Sequence, residues 1–229
     1  MLPIRDNLES RILPVVTWTI IGLNLIVFVW DRGPALLASN VAFADLGLTP
    51  AHLAATIKGQ GDPLEFGKAF TSIFLHANLW HLLVNVIFLQ AFGPTIERTL
   101  GGLRFALYYL FWGLVGSACH VLVNWNSSAM LLGASGAIGG VLGCYLMLFP
   151  TNRIRTVIIP VVWWPFNVNS AVLLVIWLLW QVLFPQEGVA NWAHAGGFLA
   201  GMVTVMVLGG REKALRDLKP KFLEDPANA

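Results

Sequence analysis

Charged residues divide this chain into long apolar stretches, and the gaps between them predict its elements. The first gap, Ile12–Trp30, lies between Arg11 and Asp31 and is long enough for one helix. The second, Ala69–Ile96, lies between Lys68 and Glu97, with its useful part at about Phe74–Phe92. The third, Phe105–Asn152, is too long for one crossing and is broken by Asn124-Trp125-Asn126-Ser127-Ser128, so it holds two. The fourth runs from Thr156 to Gln186 and the fifth from Gly188 to Gly210. Pro160 and Pro165 punctuate the start of the fourth. Its helix is therefore expected at Ser170–Phe184, after a loop or re-entrant stretch. A helix that crosses a bilayer needs roughly 20 mostly apolar residues, so the pattern predicts six spans.

Composition agrees with that pattern. The 229 residues are 57% hydrophobic and 11% charged, and mean hydropathy is +0.71. Soluble domains average roughly 45–50% apolar and about 25% charged. This excludes a single water-soluble globule and a disordered chain. A net charge of +2 is too small for a nucleic-acid binder. Ten Trp and 14 Phe suit a protein with aromatics at membrane interfaces. Cys119 and Cys144 lie in apolar runs and form no CxxC pair, so they read as inert buried thiols. The first residues lack the short apolar core and cleavage site of a signal peptide, so the first apolar run is expected to stay as an anchor.

Lys and Arg set the orientation. With the N-terminus inside, only Arg32, Lys58 and Lys68 of the 14 Lys and Arg fall outside. Both termini are then cytoplasmic. The expected organisation is a cytoplasmic segment 1–13, a six-span domain 14–210 and a polar cytoplasmic tail 211–229. Asp31–Ser72 is an outer connection, structured at the interface, with a weakly amphipathic piece around Ala51–Ile57. No internal repeat or low-complexity tract is evident.

Polar groups inside spans are costly and mark function. Span two carries His76, His81 and Asn85; span three carries His120; span four opens with Gly133-Ala134-Ser135-Gly136; span six carries Asn191 and His194. Spans two, four and six all run from outside to inside. Ser135, His194, and His81 with Asn85 therefore reach one layer just below the outer surface. Span four has glycines four apart, Gly136 with Gly140 and Gly139 with Gly143, and span six has Gly197 with Gly201. Small residues at this spacing let helix backbones approach closely in lipid. Contact between these faces would bring the Ser135 hydroxyl and the His194 imidazole within hydrogen-bond reach. His81 and Asn85, at i and i+4, share one helix face.

A serine hydroxyl becomes a good nucleophile when an adjacent histidine takes its proton. No Asp or Glu lies at the depth of Ser135 inside a span, so a dyad is expected rather than a triad. Donors for an oxyanion are His81, the Asn85 amide and the Ser135 N–H. Gly133, Gly136 and His76 are supporting residues, and Gly140, Gly143, Gly197 and Gly201 are packing residues. Blander readings compete. A lone serine in a span commonly bonds its own backbone, and glycine stripes commonly mean packing alone. A metal site would use His76, His81 and His194, but there is no HExxH and no accompanying acid, and His76 and His81 are five apart. No metal and no cofactor are therefore expected. His52 and His120 read as structural or interfacial.

Three motifs together resemble the rhomboid family of intramembrane serine proteases. They are His76-Ala77-Asn78-Leu79-Trp80-His81-Leu82-Leu83-Val84-Asn85, Gly133-Ala134-Ser135-Gly136-Ala137-Ile138, and Ala193-His194-Ala195-Gly196-Gly197-Phe198-Leu199-Ala200-Gly201. The resemblance covers about Pro14–Gly210. It implies an all-α membrane protein, a six-transmembrane-helix bundle with a structured outer loop between helices 1 and 2. It implies cleavage of peptide bonds in or near the transmembrane segments of single-span membrane proteins. It implies Ser135 as nucleophile, His194 as base, and His81 and Asn85 on the oxyanion side. Gly93 and Glu97 match a glycine and an acid common near the end of the family's second span. Two positions depart from the pattern. Many members carry Tyr or Phe against the imidazole where Gly139 stands here, so Trp192 or another aromatic is expected to hold His194. Many carry Arg two after the acid, where Thr99 stands here beside Arg98.

The reading is an intramembrane endopeptidase in a plasma membrane, its minimal form suggesting a prokaryote. The alternatives are a catalytically silent rhomboid-like client-binding protein and, less favoured, a small transporter. The latter lacks a polar path to the cytoplasm.

Overall fold

The structure is a computed structural model that describes residues 1–8, 13–32, 44–158, 162–186 and 188–216. It is mostly helical, with α1 (Val15–Arg32), α2 (Pro50–Ile57), α3 (Glu65–Thr71), α4 (Leu79–Leu100), α5 (Gly102–Val123), α6 (Ser135–Leu148), α7 (Ser170–Leu183), α8 (Asn191–Val207) and α9 (Gly210–Arg216). By length and composition α4 and α5 are able to cross a membrane. The pair α8 and α9, bent by 73°, makes a third candidate, while α1, α6 and α7 are shorter apolar helices. Expectations that fall on Ile12, Pro34, Pro160, Glu187 and the tail after residue 216 lie outside the described residues.

The helix starts have identifiable causes. Asn78 caps α4, its side chain accepting from the His81 N–H at 2.8 Å. Asn169 caps α7, accepting from the Ala171 and Val172 N–H groups at 2.9 and 3.3 Å. The first turn of α1 is capped from another helix. The Val16 and Thr17 N–H groups donate to the Glu97 carboxylate at 2.8 and 2.7 Å, and the Thr17 hydroxyl adds a third bond at 2.7 Å. A buried carboxylate with three donors at a positive helix end carries little desolvation penalty. This accounts for the extent of α4. It begins after the expected Phe74 and continues past Phe92 to Leu100, because the charge of Glu97 is satisfied within the bundle rather than ending the helix. His76 consequently lies in the turn before α4, not on a span as expected.

The all-α expectation is also corrected. Three strands, β1 (Leu2–Asp6), β2 (Arg153–Ile158) and β3 (Val162–Asn169), form one antiparallel sheet in the order β1-β2-β3. Leu2 pairs with Val157 and Asp6 with Ile154, and Arg153 pairs with Asn169. The stretch expected as a loop or re-entrant segment before α7 is thus the β2–β3 hairpin. Its signal is the alternation of exposed Arg153 and Arg155 with buried Ile154 and Thr156. A count of charge-free gaps passes over such a pattern.

Helix α6 sits at the centre. Residues 136–145 are all buried, against α8 and α5 above all. Trp112 of α5 lies against Gly140 and donates its indole N–H to the Thr204 hydroxyl of α8 at 2.9 Å. Below, the hydroxyls of Thr95 and Tyr145 donate to the Asp6 carboxylate, the latter at 3.0 Å, tying β1 to α4 and α6. Arg211 of α9 donates to the Leu148 carbonyl at 2.7 Å, at the end of α6.

Burial raises the Asp6 carboxyl above its ordinary value, outweighing the bonds from Thr95 and Tyr145 that lower it. A carboxyl raised in the folded state favours folding most when protonated, and that contribution fades as pH rises through the raised value. The stability of the wild-type chain relative to Asp6→Asn is therefore expected to rise as pH falls from neutral into the carboxylate range. Thermal unfolding midpoints of both proteins across that range check this; a pH-independent difference contradicts it.

Candidate active site

Ser135 is the first residue of α6, and the chain just before it is held by backbone contacts. Leu131 and Leu48 exchange two bonds, at 2.7 and 3.2 Å, and the Gly133 N–H donates to the Ser72 carbonyl at 2.9 Å. Gly133 has φ +119°, a conformation that favours glycine. A Cβ at Gly133 would also lie 2.5 Å from His81 Cε1. The loop therefore serves two ends, starting α6 at Ser135 and seating the His81 ring. His76, buried beneath, meets His81 edge-on with ring centroids 5.2 Å apart.

The glycine faces of α6 and α8 meet. A Cβ on Gly197 would collide with the Gly136 carbonyl, one on Gly201 with the Gly140 carbonyl, and one on Gly143 with the Phe198 carbonyl. Gly139 is in the same contact, its missing Cβ 2.5 Å from the His194 carbonyl. At this approach His194 Nε2 lies 2.8 Å from Ser135 Oγ. His194 Nδ1 lies 2.8 Å from Gln181 Oε1 of α7. The ring of Trp177, also on α7, lies over His194 at 5.9 Å and an interplanar angle of 30°.

These groups line a cavity of about 680 Å³ shared with Asn78, His81, Asn85 and His120. Asn85 is 5% exposed, and its side-chain NH₂ has no protein hydrogen-bond partner. Such a buried donor is costly without an acceptor, and an acceptor entering the cavity would satisfy it. Ser135 opens α6, so the first-turn amides, which have no intrahelical acceptor, and the positive end of the helix dipole sit at the same spot. The arrangement offers a hydroxyl paired with an imidazole, and convergent donors for negative charge. Among the described residues no set of three His, Cys, Asp or Glu is arranged to hold a metal ion.

The structure thus brings together Ser135, His194, His81 and Asn85, with Gly133 and His76 around His81. Gly136, Gly140, Gly143, Gly197 and Gly201 lie in the α6–α8 contact. His120, set aside by the sequence reading, lines the cavity. His52 lies outside it, exposed and 3.9 Å from Glu65. Trp192 also lines the cavity, but Trp177 is the aromatic against the imidazole. Gln181 and Trp177 were missed. The available signal was a polar amide in the otherwise apolar interior of α7, four residues after a tryptophan.

The rhomboid domain family matches residues 63–211. The chain belongs to the rhomboid family. Among its relatives, Rhomboid protease GluP of Bacillus subtilis is 33% identical over 202 residues, covering 86% of this chain and 35% of the relative. Putative rhomboid protease YdcA of the same organism is 32% identical over 149 residues, 62% of this chain and 67% of the relative. The mitochondrial Rhomboid protein 1 of Saccharomyces cerevisiae is 36% identical over 177 residues, 65% and 51% of the two chains. This rhomboid spans less than half the length of several curated relatives it matches, RHOMBOID-like protein 5 of Arabidopsis thaliana at 44% among them. Family membership and the apolar helices together make it an integral membrane protein.

Gly139 explains one departure from the family pattern. An aromatic ring at this position would drive its Cβ into backbone, so the contact with the imidazole comes from α7 instead. Gly139→Ala is expected to cost about 1–3 kcal/mol through overpacking. Gly22→Ala on α1, where an added Cβ meets nothing within 4 Å, is expected to be neutral or stabilising by up to about 1 kcal/mol. Unfolding in mixed micelles measures both; equal effects would contradict the close approach.

Proposed function

We propose that this rhomboid is an intramembrane serine endopeptidase working through a Ser135–His194 dyad on transmembrane segments of single-span membrane proteins. The observation that carries the reading is the 2.8 Å contact between His194 Nε2 and Ser135 Oγ at the wall of the cavity. Six crossings, on α1, α4, α5, α6, α7 and α8, with both termini cytoplasmic, open that cavity toward the outer face. The charge bias supports this orientation.

The chemistry is acyl transfer. His194 Nε2 takes the Ser135 proton as Oγ attacks the scissile carbonyl. The tetrahedral oxyanion is held by the Ser135 N–H, the Asn85 amide and His81. The imidazolium gives its proton to the leaving amine, and the acyl-enzyme remains. Water then enters from the outer face, gives a proton to His194 and attacks the ester, releasing the second product and restoring the hydroxyl. The substrate helix must unwind locally to expose its carbonyl, which favours small or helix-breaking residues near the cut.

Purified protein in bilayers, incubated with a panel of single-span substrates, tests this. Ser135→Ala is expected to reduce cleavage by at least about 10³-fold, and Asn85→Ala by about 10²–10³ through loss of one oxyanion donor. Cleavage surviving in Ser135→Ala overturns the reading. Binding of the substrates without cleavage by the wild type favours a catalytically silent client-binding protein.

A further inference from the structure

We propose that Gln181 is a positioning residue that selects the neutral His194 tautomer protonated on Nδ1, leaving the Nε2 lone pair for the Ser135 proton. The proposal rests on the dyad reading above. It starts from an inventory of donors. A neutral imidazole has one N–H and one lone pair, and both nitrogens of His194 are engaged at 2.8 Å, one by Gln181 Oε1 and one by Ser135 Oγ. A carbonyl-type oxygen only accepts, so Gln181 Oε1 requires a proton on Nδ1. The other tautomer would set the Oε1 and Nδ1 lone pairs against each other, or require the amide to turn over and present its NH₂ to Nδ1. It would also point an Nε2–H at the serine oxygen, where it cannot take the hydroxyl proton.

A carboxylate fills this place in many serine hydrolases, fixing the tautomer and stabilising the imidazolium that forms. Among the described residues no Asp or Glu lines the cavity. The amide supplies the first of these effects without bringing a charge into a site of low dielectric. Gln181 is held by the helix that also carries Trp177, four residues earlier, so one face of α7 fixes both the plane of the ring and its proton. Trp177 is in turn braced by Phe198 of α8 and Phe88 of α4, at 6.0 and 6.3 Å between ring centroids. Ser135, His194 and Gln181 thus form a line of three groups drawn from α6, α8 and α7.

The test uses the full chain and two readouts. The first is the nitrogen spectrum of histidine-labelled protein, with the His194 signals assigned by their loss in His194→Ala. The second is the rate of labelling by a fluorophosphonate probe across pH. The wild type is expected to carry its proton on Nδ1. Gln181→Met, of similar shape without the acceptor, is expected to populate both tautomers and to label about tenfold or more slowly, the effect of losing one hydrogen bond. Gln181→Glu is expected to label faster than Gln181→Met, with the acidic limb of its pH profile moved to higher pH by the new carboxylate. A wild-type ring protonated on Nε2 overturns the proposal, and so does Gln181→Met with wild-type rate and pH profile. If the wild type is not labelled at all, the dyad reading fails, and the nitrogen spectrum still decides the tautomer. The same spectrum decides it if Gln181→Met does not fold.

Discussion

The contact between the backbones of α6 and α8 is the constraint on which the rest of the molecule depends. Lipid provides no hydrophobic drive for helix association, so closeness of approach decides how tightly two apolar helices pack. Here Gly197 and Gly201 lie against the carbonyls of Gly136 and Gly140, and Gly143 against that of Phe198. With any side chain at these positions the helices would separate, and the 2.8 Å contact between His194 and Ser135 would open. The stripe that packs the bundle and the contact between hydroxyl and imidazole are thus one feature, because His194 lies one turn from Gly197 and Ser135 directly precedes Gly136.

The surrounding elements hold the two ends of that contact. At the cavity end, Ser72, Leu48 and Gly133 hold the segment that starts α6, and α7 supplies Gln181 and Trp177 to the imidazole. At the other end, Asp6 joins β1 to Thr95 and Tyr145, and Arg211 caps α6 from α9. Glu97 joins α4 to the start of α1. Several polar groups in the bundle thus sit at helix ends, where orphan backbone groups need partners, and others line the cavity.

The sequence was most legible where spacing alone decides the geometry. Glycines four apart put Gly136 with Gly140 and Gly197 with Gly201 on facing stripes, and a common depth drew Ser135, His194, His81 and Asn85 into one layer. It was least legible where a partner lies far along the chain. Glu97 looked like the end of a span because its charge was counted before its donors on α1 were known. Leu2–Asp6 carries no signal of its own and becomes a strand through pairing with β2. Gly139 left the support of His194 open, and only the packing of α7 shows that a tryptophan and an amide from another helix fill that role.

The central claim is that one hydroxyl and one imidazole, from α6 and α8, act on the same reacting centre. A mechanism-based isocoumarin, which is acylated by a serine and then alkylates a neighbouring histidine, tests that claim most directly through mass spectrometry of the digested adduct. The account predicts a single inhibitor joining the peptide that contains Ser135 to the peptide that contains His194. An adduct on any other pair of residues, or no adduct at either, would contradict it.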